Sequence, residues 1–315
     1  MKKTIVASLA LAFTIVAPAM AQTLSSTYPT QELFHTSAGQ LITGVEVYGD
    51  SLYYLLQRNA GSTQLVSRSA LDGYSTPTVL FDYGASAYGS FVKEFAGKLY
   101  FAESSTNTLR TLDLGTNAVA TLATVGGAYD IDFSGGYGWL SANPGYAGNQ
   151  IVKLDLTTGA LTSVLTSSDF SGPIAFDGTS LLYGSSAYAA TTGIYRYTAL
   201  ELNAGGLSLD AGHLFQSNAG NAYFEKDNGH WGSIVRTDFS QIATVSGAPI
   251  QIATSLDVIG NLAADSTGLY VSVTDYNGAP AADDQSAVFR VIPEPATGSL
   301  LALALGVFGL RRRAK

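Results

Sequence analysis

Acidic side chains are the residues of this chain best placed to do chemistry, and they fall into two patterns. The stretch TDYNGAPAADDQS brings Asp275, Asn277, Asp283 and Asp284 into one loop. Several hard oxygens converging from one loop is how Ca²⁺ is held. The ligand order and closing glutamate of an EF-hand are missing, so the loop reads first as a solvated turn and second as a calcium site. The other pattern is spread along the chain, with Glu46, Glu94, Asp132, Asp177 and Asp265 recurring at similar places in apolar segments. If those segments lined one channel, the carboxylates would need a cation or raised pKa values to coexist. The plainer alternative is a set of strand-end acids facing water. Asp130 and Asp132 share one face of a strand, since side chains alternate with period two. Nothing marks one as acid and the other as base, and no catalytic residue is assigned.

Other reactive groups are sparse. His35, His213 and His230 lie in separate segments without H-E-x-x-H spacing. His230 precedes Trp231, a pair suited to stacking on a sugar, although a turn position is the first expectation. The chain has no cysteine, which excludes disulfides, thiolate metal sites, iron–sulfur clusters and a cysteine nucleophile. No G-x-S-x-G elbow, P-loop or dinucleotide fingerprint stands between a strand and a helix. The glycines sit instead in GG, DG and NG pairs that suit hairpin turns with positive φ.

The elements that must carry these residues repeat. Apolar-basic-apolar runs begin at Leu65, Leu109, Ile151, Ile194, Ile234 and Val288, at intervals of 44, 42, 43, 40 and 54 residues. Each is preceded by an aromatic marker, namely Tyr54, Tyr100, Trp139, Tyr183, Tyr223 and Tyr270, and most are flanked by two further strand candidates. Units of about four short strands at a period of roughly 40–50 residues indicate a β-propeller. Six markers predict six four-stranded blades. Five or seven stay open because ELNAGGLSLDAGHLFQSNAG, from Glu201, does not divide cleanly. The last unit lacks a fourth strand after VFRVI, and TQELFHTS at residues 30–37 is expected to supply it and close the ring. Closure of that kind leaves no long exposed edge. The body is similar in pattern to degenerate propeller repeats of bacterial exported proteins, without WD or kelch signatures. Arg110, Lys153, Arg196, Arg236 and Arg290 recur on each third strand and are expected to pair with neighbouring aspartates at blade edges.

Composition agrees with an all-β body. Of 315 residues, 46% are apolar and only 13% charged, with 34 glycines and 18 tyrosines. Strands joined by many turns suit such a chain better than long helices. The net charge of −8 understates the acidity of the middle. Six of the 16 basic residues lie at the two ends, leaving ten against all 24 acids, or −14. Nucleic acid is therefore excluded as an expected partner.

Both ends read as addresses. Residues 1–21 have Lys2 and Lys3, an apolar run, and small residues at Ala19 and Ala21 where a signal peptidase would cut. This is the layout of a secretory signal, drawn as a helix in transit and leaving Gln22 first. At the other end, residues 296–310 are a 15-residue apolar segment followed by Arg311, Arg312 and Arg313. As a helix it would span about 22 Å, against roughly 30 Å of bilayer hydrocarbon. The arginines would hold its end on the cytoplasmic side as a stop signal. Pro293, Glu294 and Pro295, preceded by Ile292, should form an extended and accessible triplet before it.

That order of triplet, apolar helix and arginines resembles the PEP-CTERM sorting tail of Gram-negative bacteria, over residues 292–315. The resemblance implies processing by an exosortase, transient insertion of a short transmembrane helix, and an exopolysaccharide or biofilm setting. The expected organisation is a signal peptide at 1–21, a propeller body at 22–291 and a sorting tail at 292–315. The expected role is a non-enzymatic surface or matrix protein with signal peptidase, exosortase and extracellular polysaccharide as partners, and no cofactor. The alternative is a Ca²⁺-dependent propeller enzyme of lactonase, glycosidase or lyase class.

Overall fold

The computed structural model describes residues 22–292 apart from residues 23, 27, 59–61, 86, 144–148, 168–170, 177–180, 186–193, 199–200, 208–211, 219–220, 228–236, 243–249, 256–257 and 275–283. Ala19, Ala21, Pro293, Glu294, Pro295 and the three arginines lie outside the described residues, as do Asp275, Asn277, Asp283, Asp177, His230 and Arg236.

Among the described residues the strands form six antiparallel sheets. Sheet one holds Gln40–Tyr48, Ser51–Arg58, Gln64–Ser69 and Thr78–Asp82. Sheet two holds Val92–Phe95, Lys98–Glu103, Thr108–Asp113 and Val119–Thr124. Sheet three holds Ala128–Ser134, Tyr137–Ala142, Asn149–Asp155 and Leu161–Ser167. Sheet four holds Ser171–Phe176, Leu181–Ser185, Ile194–Thr198 and Glu201–Leu207. Sheet five runs Gly212–Asn218, Asn221–Asp227, Thr237–Ile242 and Ile250–Ser255, with Leu24–Ser26 added at its outer edge. Sheet six runs Val258–Asp265, Gly268–Thr274 and Ser286–Val291, completed by Thr30–His35. The segment from Glu201 that resists division in the sequence is split by the structure, its halves going to sheets four and five.

The first strand of each sheet touches the first strand of the next, and that of sheet six touches that of sheet one. The sheets thus stand around one axis, and the fold is an all-β propeller. Its core lies between neighbouring sheets. Phe101, Leu99 and Leu112 of sheet two pack against Leu55 and Leu65 of sheet one. Tyr100 and Leu109 of sheet two pack against Ile131 and Leu140 of sheet three. Aromatic contacts cross the same seams, with Phe95 stacked on Phe133 at 4.6 Å and Trp139 edge-on to Phe176 at 5.8 Å. Alternation along each strand makes this possible, since every sheet has to be apolar on both faces.

Turn chemistry explains the repeat at its narrowest points. Asp113 accepts the N–H groups of Gly115 and Thr116, and Asp155 those of Thr157 and Thr158. LDLGTN and LDLTTG therefore build the same aspartate-anchored turn. Gly159 closes the second with φ at +73°, and a Cβ there would collide with the carbonyl oxygen of Leu122 in sheet two.

Ring closure uses both ends of the body. Thr30–His35 pairs with Ser286–Val291, as the missing fourth strand of the last unit required. The seam is polar and buried: the Ser286 N–H donates to Thr36 Oγ1 at 2.9 Å, and the Ile42 N–H donates to Ser286 Oγ at 3.0 Å. Ser286 Oγ also lies 2.6 Å from Thr274 Oγ1. Just beyond, the Ile292 N–H donates to the Pro29 carbonyl at 2.9 Å, so the body is pinned up to the residue before Pro293.

Candidate functional site on the axial strands

A propeller leaves the axial edge of every inner strand without a ladder partner, and those N–H groups need acceptors. Three carboxylates supply them. Glu46, on the inner strand of sheet one, accepts from the Val47 N–H at 2.8 Å and from the Glu94 N–H of sheet two at 3.2 Å. Asp130, in sheet three, accepts from Ile131 at 2.9 Å and from Ile174 of sheet four at 3.1 Å. Asp132 repeats the pattern with Phe133 at 2.8 Å and Phe176 at 2.7 Å. In each case one oxygen takes the next residue's N–H and the other bridges to the following sheet.

Lys93 stands between these groups. In the strand register Glu46 faces Tyr53, Lys93 faces Tyr100 and Asp132 faces Trp139. Acid, lysine and acid therefore occupy the same ladder position in three consecutive sheets. Burial pushes Glu46 up to about 7, even though Lys93 and the two N–H donors pull it down. Burial likewise raises Asp130 to about 6 against the pull of Lys93. For Lys93, burial acts to lower the pKa, but the Asp130, Glu46 and Asp132 carboxylates outweigh it and raise it. The cluster thus joins a firmly protonated lysine to two carboxyls that titrate near neutrality, a combination capable of proton exchange.

The five-acid row is corrected by this geometry. Glu46 and Asp132 do belong to the axial strands' polar edge. Glu94 instead accepts from the Gly97 N–H within its own hairpin, and Asp265 accepts from Thr267 and Gly268 in its own turn. Among the described residues no three His, Asp or Glu side chains are grouped to hold a metal ion. Asp284 is only 1% exposed, and its carbonyl receives the Gly39 N–H across the seam. It is therefore a buried seam residue and not part of a solvated turn. His35 is 68% exposed beside Glu32 on the closing strand, and His213 lies on the inner strand of sheet five.

Three of the recurring basic residues, Arg110, Lys153 and Arg290, also depart from expectation. Arg110 pairs with Glu103 at 2.8 Å, a glutamate where an aspartate was expected, and lies over Phe81 of sheet one at 5.3 Å. Lys153 sits 3.6 Å above the Tyr137 ring, and Arg290 lies 5.9 Å from that of Tyr270. Arg68 lies over Phe34 at 4.3 Å and bonds the Tyr54 hydroxyl. Cation–aromatic stacking is the shared device. It occupies one face of each of these rings.

The fold resembles several solved structures. Regucalcin from Agrobacterium tumefaciens, a calcium-binding protein, aligns at 16% identity and a TM-score of 0.53, over 84% of this chain and 95% of that one. TolB from Acinetobacter baumannii aligns at 12% and 0.50, over 78% of each chain. A chain of the mitotic checkpoint complex aligns at 13% and 0.54, over 91% of this chain and 100% of that one. At such identities the likeness concerns the fold alone. No curated protein matches the chain. Residues 291–314 match the PEP-CTERM protein-sorting motif, and this motif marks the chain for exosortase-dependent export and sorting.

Proposed function

We propose that this is an exported, non-enzymatic surface or matrix protein, a six-bladed propeller delivered by processing of its tail. The six sheets are taken as six blades, with the strand Leu24–Ser26 an addition to the fifth. The observation that carries the non-enzymatic reading is the saturation of the axial carboxylates. Both oxygens of Glu46, Asp130 and Asp132 are held by backbone N–H groups, three from the next residue of the same strand and three from the following sheet, and any ligand would have to break these bonds. Signal peptidase and exosortase are the direct partners in this reading, and an extracellular polysaccharide is the partner at the destination. The apolar segment 296–310 is inserted only until the tail is cut.

A second reading, a Ca²⁺-dependent envelope enzyme, draws on the carboxyl pKa values near neutrality and on the loop of Asp275, Asn277 and Asp283. The two separate by experiment. Intact-mass analysis of membrane and secreted fractions from hosts with and without exosortase should show the secreted body ending near residues 293–295 only when the enzyme is present. A stable membrane form retaining Lys315 in both hosts would refute the sorting reading. A large saturable rise in melting temperature with Ca²⁺ would favour the enzyme.

A further inference from the structure

The point where the tail leaves the body fixes which face of the propeller meets the membrane. Ser286–Val291 runs toward the end of sheet six that carries the hairpin between Asp265 and Gly268, because Leu269 pairs with Val291. Gln40 bridges Gln285 in parallel, so the inner strand of sheet one runs the same way and ends at Tyr48 on that face. The side-by-side bonds of Glu46 to Glu94 near the strand ends, of Ser90 to Ala128 at the strand starts, and of Asp132 to Phe176 carry the same direction through sheets two, three and four. The tail therefore emerges from the face formed by the hairpins after the inner strands and the turns before the outer strands.

Among the described residues, that face also holds most of the exposed large apolar side chains. Tyr48 and Tyr137 sit at hairpin ends, Leu71 in a turn, and Val79 and Leu161 at the starts of outer strands, with Ile292 at the exit itself. Leu71 is 84% exposed. Tyr88, the other large exposed apolar residue among those described, lies in the connection between sheets one and two on the opposite face.

We infer that, while the tail is inserted, the propeller rests with this turn face against the outer leaflet and presents its opposite face away from the membrane. The inference rests on the reading of residues 296–310 as membrane-inserted. From Ile292, pinned to Pro29, to Ala296 the chain reaches about 14 Å at full extension. A body of this size has a radius of gyration of about 18 Å, so the tether is too short to let the propeller turn over. Tyrosines at such a boundary suit the headgroup region. Asp50 and Asp72 are exposed on the same face, so the tether and apolar contacts hold it, and no anionic lipid is required.

The absence of native cysteine makes the test clean. Leu71→Cys, Tyr137→Cys and Tyr88→Cys variants of the full chain carry one fluorophore each in phosphatidylcholine vesicles doped with headgroup nitroxide lipid. Quenching several-fold stronger at positions 71 and 137 than at 88 is expected. Equal quenching at all three in chain that floats with the vesicles overturns the inference alone, as does crosslinking of 71 or 137 to a second copy in place of quenching. Chain that fails to float overturns the insertion reading and the inference with it.

Discussion

Replacing Lys93 by methionine keeps most of the side chain's bulk and removes the one cation among Glu46, Asp130 and Asp132. Breaking a fully buried ion pair from one side costs about 3–5 kcal/mol, whereas an exposed pair is worth about 0–1. Lys93 is half-buried, so a loss of about 2 kcal/mol at pH 8 is the reasonable expectation between those limits. For a body of this size that corresponds to a fall of about 4–8 °C in melting temperature. The pH dependence distinguishes charge from packing. In the wild type, Glu46 and Asp130 bind protons more tightly folded than unfolded. Their contribution to stability is full below pH 4 and is lost as pH rises toward 6 for Asp130 and 7 for Glu46. Without Lys93 both carboxyls would rise further, so the penalty of the substitution must be larger at pH 8 than at pH 5. Thermal melts of wild type and Lys93→Met at the two pH values test this. A penalty equal at both pH values would mean that Lys93 acts only by filling space, and the electrostatic account of the axial cluster would be wrong.

Two further substitutions probe the frame around that cluster. Thr36→Val leaves the Ser286 N–H and the Gln40 carbonyl without their buried partner, which should cost about 2–3 kcal/mol and lower the denaturant midpoint without changing its slope. Ala96 holds φ at +53° beside Gly97 at +77°, a hairpin conformation that suits glycine or asparagine. Ala96→Gly should raise stability by up to about 1 kcal/mol, and a fall would show that this turn is not strained.

Much of the architecture was legible because it is written as period. The spacing of the basic runs and the orphan strand at residues 30–37 each have a local physical cause, and each reappears in the sheets. The sorting motif is likewise read directly, since its elements are contiguous. Register was not legible. The sequence grouped Glu94 with Glu46 and took Tyr54 and Tyr100 as matching markers, whereas in the ladder Tyr53, opposite Glu46, is the counterpart of Tyr100, opposite Lys93. A repeat period that varies by a few residues cannot detect a slip of one, and a slip of one turns every side chain to the other face of its sheet. The sequence by itself determined that inner strands carry acids and that the ring must close on its own N-terminal strand. Only the tertiary structure decided that the acids serve the neighbouring strand's free N–H groups with a lysine between them, because those donors become neighbours only once the sheets stand around one axis.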